Sequence, residues 1–106
     1  MLDMFNVVYA YMCAKSNAVS YVGMTTRPLV DRIREHRLAS SPIGSHILGC
    51  DKCANSDFKF GFKVLAMCKD FTSLRIAETI KIEELKPCLN TQLVHSGASF
   101  LLRIMD

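Results

Sequence analysis

Apolar positions fall along this chain in two kinds of pattern. Val7-Val8-Tyr9-Ala10-Tyr11-Met12 is an unbroken β-branched and aromatic run, which predicts a strand from Asn6 to Cys13. Lys15-Ser16-Asn17 supplies turn chemistry, and a second strand is predicted from Val19 to Met24, so the pair forms a hairpin. Phe58, Phe60, Phe62, Val64 and Ala66 alternate with Lys59 and Lys63, a period-two signal for a third strand. Between these runs the period changes. Thr26 or Arg27 caps a helix with Pro28 in its first turn, running to about Leu38. Ser41-Pro42 starts a shorter helix that Gly49 ends and Gly44 weakens. Cys50 to Asp57 reads as a loop. Thr72-Ser73 caps a last helix from about Leu74 to Lys86, where Pro87 stops it. The order β-β-α-α-β-α predicts an α+β fold: a small three-stranded antiparallel sheet flanked by helices.

Length fits one domain, residues 1–106, with its core over about residues 6–90 and residues 91–106 as a C-terminal extension. Half the residues are apolar and 22% are charged, which excludes a disordered chain and a heptad array. Apolar runs stop short of the roughly 18 residues of a membrane span. Arg103 interrupts the run from Phe100 to Met105, and the first residues lack the pattern of a signal peptide. An intracellular protein, nuclear or cytoplasmic and without a membrane partner, is expected. Five cysteines, an odd number at irregular spacing, argue for reduced thiols over a disulfide framework. The net charge of +3 permits a polyanionic partner.

Several polar residues stand where plain packing does not want them. Glu78 interrupts an apolar row formed by Leu74 and Ile82, although a surface pair with Lys81 would also account for it. Arg32 and His36 share a helix face, with Arg27, Arg34 and Arg37 near them. That set suits a phosphate, joining a fork of donors to a group that titrates near neutrality, and it also suits a solvated basic face. Tyr9 and Tyr21 fall on adjacent strands. His46, Cys50 and Cys53 form an H-x₃-C-x₂-C set, three possible zinc ligands that need a fourth from Cys13, Cys68 or a second histidine. The alternative is a pair of loop thiols and a histidine that packs or touches DNA. His95 stands isolated.

Together, Val7-Val8-Tyr9, Tyr21-Val22-Gly23, Arg32, His36, Glu78 and the run Pro87-Cys88-Leu89-Asn90 resemble the GIY-YIG nuclease superfamily. The run from Tyr21 to His36 carries most of the likeness. Within the superfamily the chain is most similar to the endonuclease domain of Penelope-like retroelements. The resemblance implies hydrolysis, by nicking, of DNA phosphodiesters with Mg²⁺ or Mn²⁺, possible service in retroelement insertion, and further domains or a partner that select the site. It implies that Glu78 holds the metal and that Arg32 holds the phosphate. Tyr9 or His36 would take the proton of the attacking water, Tyr21 would orient that water, and Arg27, His46 and Asn90 would contact DNA. The alternative is a catalytically inactive GIY-YIG-like module that binds nucleic acid or protein, stabilised by zinc. Two departures stand out. Val occupies the place of the usual glycine in Val7-Val8-Tyr9, and Cys13 stands alone where Penelope-like domains often carry the cysteine pair of a CCHH metal motif.

Overall fold

A computed structural model describes residues 3–38 and 40–90. The side chains of Lys59 and Phe60 lie outside the described set, as do His95 and the segment from Phe100 to Met105. Strands β1 (Val7–Met12), β2 (Val19–Thr25) and β3 (Phe62–Met67) form one antiparallel sheet in the order β2-β1-β3. Helices α1 (Leu29–His36), α2 (Pro42–Leu48) and α3 (Asp51–Ala54) follow the hairpin, and α4 (Phe71–Leu85) follows β3. The α+β fold with a small three-stranded antiparallel sheet is therefore as the pattern predicts.

The unbroken apolar run of β1 has a simple cause. The strand is central and both of its faces are buried, so polar alternation would bury a charge. Val7, Tyr9, Tyr11 and Cys13 point to one side and pack with Leu29, Ile33, Ile43, Cys50, Cys53 and Phe62. Val8 and Ala10 point to the other, against Val22 and against Leu74 and Ile82 of α4. The sheet is thus a middle layer between α1–α3 and α4.

Helix ends differ from expectation by a residue or a turn. Pro28 is the N-cap of α1, one place before the first helical residue. The Thr25 hydroxyl accepts from the Arg27 backbone N–H at 3.1 Å and so shapes that entry. Ser41 caps α2 as predicted, accepting from the Gly44 N–H. Asp70 caps α4, accepting from the Ser73 N–H at 2.7 Å, so the helix begins three residues before the expected Leu74. The predicted Cys50–Asp57 loop contains the short helix α3. Phe58 to Gly61 is a 3-10 turn where a strand was expected, and β3 starts only at Phe62. A bulge then breaks the alternation: Tyr9 pairs with Val64 and Val8 with Ala66, which leaves Leu65 extra. Val64 consequently packs on the α1–α3 side, and Leu65 and Ala66 on the α4 side.

Gly44 is required by packing. A Cβ there would lie 2.0 Å from the Leu38 carbonyl oxygen and 2.9 Å from that of His36. The glycine costs α2 some propensity and allows the helix to press against the end of α1.

Candidate functional site

Two clusters of chemically capable side chains lie on the α1–α3 side of the sheet. The first centres on Tyr9. Its side chain is fully buried at the middle of β1, and its Oη lies 2.5 Å from His36 Nε2. The His36 ring packs edge-on to Tyr9 and Tyr21, with centroids 5.6 and 5.2 Å away, and stacks on Phe62 at 5.9 Å. Gly23, paired with Tyr9 across the hairpin, leaves room for the phenol: a Cβ would meet Tyr9 Oη at 2.6 Å. Tyr21 is half-buried, and so is the phenol nearer to solvent.

Burial sets the protonation states. Desolvation pushes both phenols above their usual range, and in Tyr9 the neighbouring Tyr21 adds to it. Arg32 pulls both down, and the Glu78 carboxylate on α4 is near enough to push both up. His36 falls to about 4, through desolvation first and the Arg32 charge second. The imidazole is therefore neutral at pH 7. We assign the bridging proton to Tyr9, which donates to Nε2, with the other proton on Nδ1. Nδ1 is buried with no hydrogen-bond partner among the described residues.

The sign of the pH effect follows. His36 binds its proton less tightly when folded (about 4) than at its ordinary 6.5. Between those values the unfolded chain carries more protons, so stability rises with pH. Urea unfolding should show wild-type stability increasing across that window by an amount on the order of 3 kcal/mol, a slope that His36→Asn removes.

Arg32 lies one turn before His36 on α1 and stands beside both phenols. Its Nη1 donates to Glu35 Oε1 at 3.1 Å. Arg27, expected to face DNA, donates from Nη2 to both Glu35 oxygens at 2.6 and 2.7 Å. Glu78 holds its place in the Leu74–Ile82 row at the edge of the α4 core, while Lys81 bonds Glu84 at 3.4 Å.

Asn90, expected at DNA, lies inside the fold. Its buried amide is spent on β2: Oδ1 accepts from the Val22 N–H at 2.9 Å and Nδ2 donates to the Val22 carbonyl at 3.0 Å. It satisfies backbone groups on the edge strand, and its burial keeps the amide off the surface.

The second cluster gathers Cys13, His46, Cys50 and Cys53, whose ligand atoms all lie within 4.8 Å of one another. Cys13 follows β1, His46 rides on α2, and Cys50 and Cys53 frame the start of α3. Cys13 Sγ lies 3.8 Å from Cys50 Sγ and 3.7 Å from Cys53 Sγ, and His46 Nε2 lies 3.5 Å from Cys53 Sγ. Four ligands around tetrahedral zinc, with Zn–S about 2.3 Å and Zn–N about 2.05 Å, stand about 3.8 Å (S to S) and about 3.6 Å (S to N) apart. The cluster could therefore hold a metal ion such as zinc. The Ala14 N–H donates to Cys53 Sγ at 3.3 Å, an outer contact that suits a thiolate ligand. Burial opposes ionisation of Cys13, but backbone N–H groups of Ser16 and Lys15 prevail and lower its pKa. His46, expected at DNA or at zinc, faces these thiols, while Cys68 packs on the α4 side of the sheet. Among the described residues no other group of three or more His, Cys, Asp or Glu side chains converges, so no ready-made cage for Mg²⁺ is seen.

Glu35 was not singled out in the sequence, although its spacing from Arg32 is that of a helical ion pair. No protein-family model, no curated protein and no solved structure matches the chain. Among the described residues no helix is long and apolar enough to cross a membrane.

Proposed function

We propose that this chain is a divalent-metal-dependent DNA endonuclease domain of the GIY-YIG type. One observation supports the reading above the rest: Tyr9, Tyr21, Arg32 and His36, from three separate segments, converge on one side of the sheet, within electrostatic reach of Glu78. A structural role alone gives little reason to join a buried phenol, a neutral imidazole and a guanidinium.

Each group then has a task. Glu78 offers the oxygen ligand that a hard cation prefers, and such an ion needs few protein ligands because it keeps several waters. When bound, the cation polarises the phosphate and stabilises the leaving oxygen. Arg32 holds a nonbridging oxygen and offsets the charge that grows in the transition state. With Tyr9 assigned as donor to His36 Nε2, its oxygen keeps a lone pair that would take a proton from the attacking water once substrate brings that water to the buried phenol. As that proton arrives at Oη, the original one passes to Nε2. The negative phosphate raises the affinity of His36 for it. Tyr21, nearer to solvent, orients the water. Binding rests mainly on charge and falls steeply with salt. Site choice comes from further domains or a partner. The resemblance suggests retroelement insertion as the setting, inside a cell where the thiols stay reduced.

The Cys13–His46–Cys50–Cys53 cluster is, in this reading, a structural zinc site. Four protein ligands close it and leave no position for substrate. A rival reading, a zinc-stabilised module that binds nucleic acid without cutting it, draws support from the complete burial of Tyr9.

Nicking of supercoiled plasmid separates the two. The purified chain should convert it to the open circle only with added Mg²⁺ or Mn²⁺. Tyr9→Phe keeps the ring and loses the hydroxyl, and should slow nicking by about 100-fold or more with the fold intact. A wild-type chain that binds plasmid and never nicks it would favour the rival.

A further inference from the structure

The proposed reaction gives no task to Glu35, yet its carboxylate joins Arg32, the cation beside the phenols, to Arg27. Oε1 accepts from Arg32 Nη1 at 3.1 Å, and both oxygens accept from Arg27 Nη2. Arg27 lies in the turn that leads from β2 into α1, with its side chain 55% exposed, whereas that of Arg32 is 33% exposed. Two guanidiniums this close repel each other unless an anion lies between them. Arg32 has five N–H donors in a rigid fork, and Glu35 engages one nitrogen at one end of that fork. The phenols of Tyr9 and Tyr21 lie within electrostatic reach of the rest of it. A long side chain that a carboxylate holds at one end has lost part of its rotamer freedom before any ligand arrives.

We propose that Glu35 is a positioning residue: it holds the Arg32 guanidinium in register with the two phenols and keeps Arg27 beside it as a second cation for the same phosphate. This rests on the nuclease reading. The carboxylate lies next to a site for a polyanion, where its charge alone works against binding. A residue that only tuned charge would be improved by removal. A positioning residue gives the opposite sign for cleavage, because a guanidinium off by an ångström no longer meets the oxygen on which charge develops.

The Arg27–Glu35 pair is largely solvated and contributes little to stability, so its variants should fold. The test uses Glu35→Gln and Glu35→Ala, both loaded with zinc, with Glu78→Ala as the control for chemistry. Three quantities are read: affinity for a short DNA duplex at two salt concentrations, the single-turnover nicking rate with Mg²⁺, and the NMR signals of the Arg32 guanidinium nitrogens in the DNA-free protein. Glu35→Ala should bind the duplex as tightly as wild type or a few-fold more tightly, nick it about 10-fold more slowly, and collapse the separately resolved Arg32 Nη signals through free rotation. Glu35→Gln, which keeps an acceptor, should fall between. Nicking at or above the wild-type rate, or unaltered Arg32 signals, would overturn the proposal while leaving the nuclease reading in place. If wild type and Glu78→Ala both fail to nick, the nuclease reading is lost. The Arg32 signals then decide by themselves whether Glu35 fixes the guanidinium.

Discussion

Stripping zinc from the purified chain with a tight chelator should lower its melting temperature by about 15 °C or more. The size follows from where the ligands sit. Helix α3 has four residues and α2 has seven, both too short to hold themselves. Their packing on β1 passes largely through Cys50, Cys53, Ile43 and the ring of Tyr11. Tight structural zinc in small domains contributes about 10 kcal/mol or more, comparable to the whole stability of a domain this size. The loss should reach the phenols as well. Tyr9, Tyr11 and Cys13 lie on one face of the same strand, and Tyr11 packs against Phe62 at 5.1 Å, which in turn stacks on His36. The Ser41 hydroxyl, while capping α2, also donates to the His36 carbonyl at 2.7 Å. Circular dichroism melts of chelated protein and of Cys50→Ser, with metal content by mass spectrometry, check this. Purified protein that carries no zinc, or that melts at the same temperature with and without it, would contradict the assignment.

What could be read from the sequence was local. The run from Val7 to Met12 announces a strand because a β-branched and aromatic segment fits a pleated surface, and the turn residues at Lys15–Asn17 give its partner. Ser41-Pro42 and Gly49 mark α2 by cap chemistry alone. Errors came where a local signal was ambiguous. Alternating phenylalanines from Phe58 read as a strand, but Gly61 lies where a Cβ would meet the Tyr11 ring at 2.5 Å, and the chain turns there. Asp70 competed with Thr72 and Ser73 for one cap, and only the backbone path decides among them. Pairings across long stretches of chain were not legible. The sequence offered Cys13, Cys68 or a second histidine as the fourth ligand. The choice of Cys13 depends on β1 ending beside α2 and α3. Likewise Asn90, placed at DNA by resemblance, braces Val22 from 68 residues away.

Glu78→Ala should lower Mg²⁺-dependent nicking by about 1000-fold, the largest loss expected from any single change outside the zinc ligands. Without that carboxylate, the other acidic group beside the site, Glu35, is already engaged by Arg27 and Arg32 and is poorly placed to stand in as a cation ligand. The fold has little reason to suffer. Glu78 is only partly buried on α4, and alanine is the best helix former, so the helix should persist. Activity should therefore collapse while the melting temperature stays close to that of wild type, a combination that damage to the fold cannot produce. The deciding measurement is the rate of conversion of supercoiled to open-circle plasmid by zinc-loaded wild type and Glu78→Ala, side by side, across a Mg²⁺ titration. The account predicts Mg²⁺-dependent nicking by the first and almost none by the second. Equal rates in the two, or none in the wild type at any Mg²⁺ concentration, would contradict it.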